Sequence, residues 1–367
     1  MTHRERWLAT LHFEPVDHVP DEEFGYWDDT LKLWHGEGLP EEVNDNSAAD
    51  RYFRFAPRAY VPVNTGLLPA LKTEVIQETD KYRIVRDGEG TLKQEFTNGT
   101  DTIPRYLRFG IESRADWEEK YLPRLDPADP ARYPDNWDEH VKRLNASDVP
   151  VIVNLGSLFG RFRDWIGFEN ISMMCMDDPD LIQDMMEYWV HFITTVLQRA
   201  VAEVRIDAGA FWEDMCFNKG CIISPKMFRE WMTPRYRHIT DFLRQAGADI
   251  FYVDCDGNIM DVVECWLDGG VNTMFPVEVA AGSNPFEIRK RWGKRVLLLG
   301  GVNKRALALG RKAIDEELAR LVPLVREGGV IPHVDHRVPP DVSYDDYLYY
   351  LNRKRELFGI PQPGHGL

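Results

Sequence analysis

The sequence predicts an α/β chain built as a (β/α)8 barrel, the TIM-barrel architecture, with helical and β-hairpin additions in its N-terminal part. Three observations carry this. From about residue 150, short apolar runs alternate with amphipathic helices in units of roughly 30 residues, the rhythm of parallel strands joined by crossover helices. Nearly every apolar run ends in acids, amides, glycines or histidines, as strand ends do at the active face of such a barrel. The chain has 367 residues and is 44% hydrophobic, enough for one large barrel with additions. The whole chain, 1–367, reads as one barrel domain, with irregular additions over about 50–150.

Taken in order, "RERWLATLHFEPVDHVP" reads as an amphipathic helix and a Pro-bounded turn. "HVPDEEFGYW" is counted as the first strand. "WDDTLKLWHGEGLPEEV" reads as an aromatic-rich helix broken at Gly36-Glu37-Gly38. Residues 73–97 alternate around Asp87-Gly88-Glu89-Gly90, the mark of a hairpin. Ser113 ahead of Asp116, with acids in the first turn, starts a helix. "VPVIVNLGS" and "AGAFWEDM" follow as strands. "SPKMFREWMTPRYRHITDFLRQAG" is helical, opened by Ser224-Pro225 and stopped by Gly247. "DIFYVDCDGN", "VNTMFPVE", "RVLLLGGVNK" and "VIPHVDHRVPP" complete the strands, with helices between and after them.

Several function classes drop out. The formal net charge of −16 and the absence of a basic run exclude nucleic-acid binding, which needs clustered Lys and Arg. No apolar run approaches the ~20 residues of a membrane span, and the N-terminus lacks a signal-peptide core, so a cytoplasmic protein is expected. Five scattered cysteines, an odd number, fit reduced thiols better than a disulfide framework. No glycine-rich dinucleotide fingerprint and no P-loop follows a strand, and "LGSLFG" is not a nucleophile elbow.

The polar strand ends are the candidate site. They include Glu22-Glu23, Asn154, Glu213-Asp214, Asp254 and Asp256, Glu278, Asn303, and His333, Asp335 and His336. Asn258 and Asn303 read first as helix caps. Asp254-x-Asp256 is not a calcium loop, because Ile259 and Cys265 stand where the glycine and the bidentate Glu belong. The cysteine spacings do not make a structural zinc site. Cys255 points off the Asp254/Asp256 face and reads as a small buried residue. Two carboxylates and an imidazole could bind zinc, iron or manganese, or do metal-free acid/base work. Asp254, Asp256 and His336 are therefore the expected metal ligands, with zinc first. His336, Glu213 and Asp214 are the candidate catalytic groups. Glu23, Tyr26, Trp27, Asn154, Trp212, Glu278, Asn303, His333 and Asp335 are expected to line the substrate site.

The order of these pieces resembles the uroporphyrinogen decarboxylase superfamily of β/α barrels. The resemblance rests on the opening helix and turn, on "SPKMFREWMTPRYRHITDFLRQAGADIFYVDCDGN", on "LLLGGVNKRAL" and on "VDHRVPPDVSYDDY". The haem-pathway decarboxylases carry a Met-Arg-Gln-Ala-Gly-Arg stretch after the first strand for substrate carboxylates. Here that place reads "EEFGYWDDT", whose acids would repel a polycarboxylate. The zinc methyltransferases of the superfamily carry His-x-Cys-Gly after the strand that ends here in "DCDG", and a later cysteine where His336 stands. The replacements are harder donors than thiolates and less suited to activating a thiol. The resemblance therefore implies a methyl-donor enzyme. It would move a methyl group from a small O- or N-methylated compound, such as an aryl methyl ether, to a corrinoid carried on a separate protein. It also implies a homodimer. Two alternatives stay open. One is a decarboxylase or lyase of a small or aromatic acid, with Arg161 and Arg163 as a carboxylate clamp. The other is a barrel that binds a ligand without chemistry.

Overall fold

A computed structural model describes residues 1–97 and 104–362. Its main sheet has seven parallel strands in the order β1 (Ala59–Tyr60), β6 (Val151–Gly156), β7 (Ala208–Trp212), β10 (Ile250–Asp254), β11 (Thr273–Phe275), β12 (Leu297–Leu299) and β13 (Val330–Ile331). The expected first strand, 18–27, is not a regular one. It nevertheless fills the gap between the two edge strands. Tyr26 bridges Val338, the Val338 N–H donates to the Gly25 carbonyl, and on the other side the Ala56 N–H donates to Asp21. Pro20 lacks an N–H and Gly25 takes a φ of +119°, so a continuous ladder cannot run through this segment.

The period of two along each strand divides the core in two. Val151, Val153, Phe211, Phe251, Val253, Met274, Leu298 and Val330 face outward into the shell of helices. Ile152, Ala208, Ile250, Tyr252, Leu297, Leu299 and Ile331 face the lumen. Trp7 and Leu11 of the first helix, His3–Leu11, pack against that inner layer and stopper the barrel at the N-terminal ends of its strands. This helix starts with a capping box, in which Thr2 and Glu5 each accept from the other's backbone N–H.

The hairpin expected over 73–97 belongs to a larger antiparallel sheet of β2 (Glu74–Glu78), β3 (Tyr82–Arg86), β4 (Leu92–Phe96) and β5 (Arg105–Arg108). Its turn reaches the barrel through Glu89, which accepts from the Trp165 indole and from Arg161 Nη1 at 3.3 Å. A short hairpin, β8 (Cys216–Phe217) and β9 (Gly220–Cys221), follows β7. Ser113 and Ser224 cap helices where the sequence places them. Among the described residues, no helix is long and apolar enough to cross a membrane.

Candidate active site

The expected pair of Asp256 and His336 meets. His336 Nε2 lies 3.1 Å from Asp256 Oδ2, and both side chains keep partial access to solvent. The imidazole is also held by rings. Trp27 lies over it at 5.6 Å between centroids, and Phe24 packs edge-on at 5.5 Å. Arg337, the next residue, places its guanidinium 5.1 Å over the other ring contact, Trp27. The second Asp256 oxygen, Oδ1, is buried without a hydrogen-bond partner among the described residues.

Asp254 ends β10 and faces the lumen beside Trp212 of β7 and Phe275 of β11. Among the described residues nothing donates to its carboxyl. Burial, and then the neighbouring Asp256 and Asp214 carboxylates, push its pKa well above the usual range, against the opposing pull of Arg337. Asp254 is thereby favoured as a neutral acid, able to donate a proton.

The strand stops at Asp254, so the one-face relation expected for Asp254 and Asp256 does not hold. Asp254 lines a cavity of about 930 Å³ with Phe24, Arg58, Tyr60, Tyr252, Phe275 and His333. Asp256 lines a second, of about 650 Å³, with Arg163, Asp214, Phe217 and Glu278. The turn between strand and loop needs Gly257, whose φ is +87°. A Cβ there would stand 2.5 Å from the Cys216 carbonyl oxygen.

Asp214 is at the site but is tethered. Its carboxylate lies 3.3 Å from Arg163 Nη1, and that guanidinium rests 5.4 Å over the Trp212 ring. Burial raises the Asp214 pKa and Arg163 opposes the rise. Glu278 accepts from the Gly257 N–H at 2.9 Å and from Lys304 Nζ at 2.8 Å, bracing the turn below Asp256. Asn154 faces inward on β6, exposed, and accepts from Gly156 N–H across a bulge.

The other expected site residues are committed to the scaffold, save Glu23 and His333, which border the larger cavity. Glu213 is fully buried and lines neither cavity. It accepts from Ser157 Oγ, the Leu158, Phe159 and Gly160 N–H groups, and the Tyr236 hydroxyl at 2.6 Å. It clips the helix Gly160–Ile166 to the barrel, and every lone pair is committed. Asp335 accepts from the Val279 and Lys304 N–H groups at 2.8 and 2.9 Å and joins two strand-end loops, with a pKa raised by burial to about 6. Tyr26 is buried in an aromatic cluster with Trp34, Phe53 and Tyr347, its hydroxyl 2.5 Å from that of Tyr347. Asn303 caps the helix Lys304–Ala308. Asn258 accepts from Met260 N–H in a local turn ahead of the next helix. Glu23 borders the larger cavity and accepts from the Phe24 and Val334 N–H groups, its pKa raised by burial. His333 borders the larger cavity as a neutral ring, its pKa lowered by burial to about 3.

The two expected clamp arginines are taken. Arg161 reaches Glu89, and Arg163 holds Asp214 and Asp164. Arg58, not anticipated from the sequence, pairs with Glu22 at the wall of the larger cavity. The first acid of "EEF" is thus neutralised from the residue ahead of β1, a long-range contact with no local signal. Tyr252 and Phe275 could have been found, since one precedes Asp254 by two residues on the same strand and the other closes its own strand.

Among the described residues, no group of three His, Cys, Asp or Glu side chains is arranged to hold a metal ion. Asp256 and His336 are bonded directly to each other, and Asp254 opens onto a different cavity. The expected metal triad of Asp254, Asp256 and His336 does not fit this arrangement.

Residues 99–356 match the uroporphyrinogen decarboxylase (URO-D) family, and the chain belongs to it. A search of curated proteins returned no match. Among solved structures, a methyltransferase from Methanosarcina mazei shares the fold, with a TM-score of 0.60 and 16% identity, covering 98% of this chain and 99% of that one. A B12-independent methionine synthase from Shewanella overlaps with a TM-score of only 0.23 and 9% identity, covering 81% of this chain and 75% of that one.

Proposed function

We propose that this protein is a methyltransferase that moves a methyl group from a small O- or N-methylated compound, such as an aryl methyl ether, to a corrinoid on a partner protein. The observation that carries the proposal is Asp254 on the wall of the larger cavity, its carboxyl pKa raised by burial and by the nearby Asp256, which itself meets His336 on the neighbouring loop. An ether or amine is a poor leaving group, and a positioned acid removes that obstacle by protonating it as the bond to methyl breaks. Asp254 is the donor. Asp256 accepts from His336 Nε2–H and fixes the ring. Trp27 and Phe24 fix its plane. Phe24, Tyr60, Tyr252 and Phe275 give the larger cavity aromatic faces for a flat substrate, beside the charged Asp50, Arg51, Arg54 and Arg58 that also line it. The corrinoid would supply the nucleophile that takes the methyl group, and the partly accessible Asp256–His336 pair leaves the mouth open to it.

The shared fold with a methyltransferase supports this reading at the level of architecture. The decarboxylase alternative has less support, because Arg161 and Arg163 are already paired with acids. The test is methylation of reduced cobalamin by a panel of aryl methyl ethers, with wild type beside Asp254→Asn and His336→Ala. Each variant should lose about 10²-fold or more in rate with an unchanged circular dichroism spectrum. Full rates in folded variants would remove these residues from the chemistry.

A further inference from the structure

Three of the five cysteines gather around the small hairpin that follows β7, on the wall of the Asp256 cavity. Cys216 and Cys221 stand directly opposite each other in the antiparallel register of β8 and β9, and both line that cavity with Asp214 and Asp256. The Ile222 N–H donates to the Met215 carbonyl at 2.9 Å one step further along. In an antiparallel pair, hydrogen-bonded and non-hydrogen-bonded positions alternate, so Cys216 and Cys221 occupy a non-hydrogen-bonded pair. There the Cα atoms are about 4.5 Å apart, within the span that a disulfide bridges. Side chains at such a pair also stand on the same face of the hairpin.

The third thiol, Cys255, lies beneath. Its sulfur accepts from the Met215 N–H at 3.4 Å. Contact with Cys221 and then Cys255 pushes the Cys216 thiol pKa well up, which accords with three sulfurs in one cluster. Access differs among them. Cys216 and Cys255 are buried and Cys221 is half-buried. The hairpin tip also carries Phe217, 49% exposed, whose ring meets Phe168 edge-on at 5.2 Å.

We propose that Cys216 and Cys221 form a reversible dithiol/disulfide site in the lip of the Asp256 cavity. The oxidant is hydrogen peroxide. The Cys221 sulfur, as the more accessible, attacks the peroxide. An S–O bond forms, the O–O bond breaks, and water leaves. The Cys216 sulfur then attacks the sulfenic sulfur of Cys221. The S–S bond forms, the S–O bond breaks and a second water leaves, so two thiols are oxidised as one peroxide is reduced. The bridge ties both strands of the hairpin behind Phe217 and stiffens the lip. A thiol reductant restores it.

Lys219 lies between the two cysteines, so trypsin separates peptide 206–219 from peptide 220–226 unless a disulfide holds them. The experiment treats the native full-length protein with a modest excess of hydrogen peroxide, blocks free thiols, and maps the tryptic peptides by mass spectrometry without reductant. The expected result is a linked 206–219/220–226 species two hydrogens lighter than the sum, with titratable thiols falling from five to three. Dithiothreitol should abolish the species. Cys175→Ser should lose two thiols as wild type does, and Cys221→Ser should lose none under the same treatment. A bridge from Cys216 to Cys255, or retention of all five thiols by wild type under conditions that consume the peroxide in a model dithiol, would overturn the assignment. The readout is chemical, so it stands or falls independently of whether the protein transfers methyl groups.

Discussion

Asp254 shows how one residue can be costly to the fold and useful to the site. Its carboxyl sits in the lumen with no donor among the described residues and with two other acids nearby. Its folded pKa lies above its unfolded one, so the folded state holds the extra proton in the interval between them. The stability this confers is complete below the ordinary carboxylate pKa of about 3.9 and is lost as pH rises through the raised folded value. Asp254→Asn removes this dependence. The variant should gain melting temperature over wild type progressively as pH climbs above about 4, even as it loses turnover. A difference that stays flat across that range would show that Asp254 ionises normally. Elemental mass spectrometry of purified wild type is expected to find no near-stoichiometric zinc, iron or manganese. Such a metal, if present in wild type and missing from both Asp254→Ala and His336→Ala, would transfer leaving-group activation from the proton to the ion. The sequence made Asp254, Asp256 and His336 visible because carboxylates and an imidazole at strand ends break the apolar pattern. It could not separate them into two cavities, since that depends on where the β10 ladder stops.

Elements explain the residues that the sequence misplaced. Glu213 and Asp335 also end apolar runs, yet each spends its oxygens on backbone N–H groups of loops and helix starts. A strand-end acid that serves the site and one that ties down a helix look alike in one dimension. The number of N–H donors aimed at the carboxylate tells them apart, and those donors come from other elements. Glu213→Ala should therefore act on stability. It strands several buried donors, and a loss of about 3 kcal/mol or more is expected in denaturant unfolding. A folded Glu213→Ala protein of wild-type stability with abolished turnover would return Glu213 to the chemistry. Tyr26 was misplaced for a similar reason. Aromatic residues near a mouth most often pack, and this one joins the irregular first stave to Tyr347 of the last helix, Tyr344–Phe358. The first helix was legible as amphipathic, but not as the stopper of the barrel. Trp7→Ala, which empties the floor of the lumen, should cost about 3–5 kcal/mol by the same unfolding measurement. An effect below about 1 kcal/mol would mean that the lumen can close around the gap.

At the scale of the whole molecule, the parallel βα rhythm was readable because it repeats. Buried parallel strands read as continuous apolar runs, and crossover helices carry their own period and caps. The N-terminal third was harder. Its four-stranded sheet of largely exposed strands and its irregular first stave are held by contacts from distant parts of the chain, such as Arg58 with Glu22 and Lys354 with Asp21. The first of them also offsets the charge of Glu22 at the wall of the larger cavity. The site combines an acid whose pKa burial raises, an imidazole hydrogen-bonded to a carboxylate, and a cavity wall of aromatic rings beside Arg51, Arg54 and Arg58, on a URO-D barrel. The most direct measurement of what this assembly does is product analysis after incubating the protein with aryl methyl ethers and, separately, aryl carboxylic acids, in the presence of reduced cobalamin. The account predicts methylated cobalamin and the free phenol from at least one ether, with both products lost in His336→Ala. Carbon dioxide released from an acid, with cobalamin left unmethylated by every ether, would contradict it.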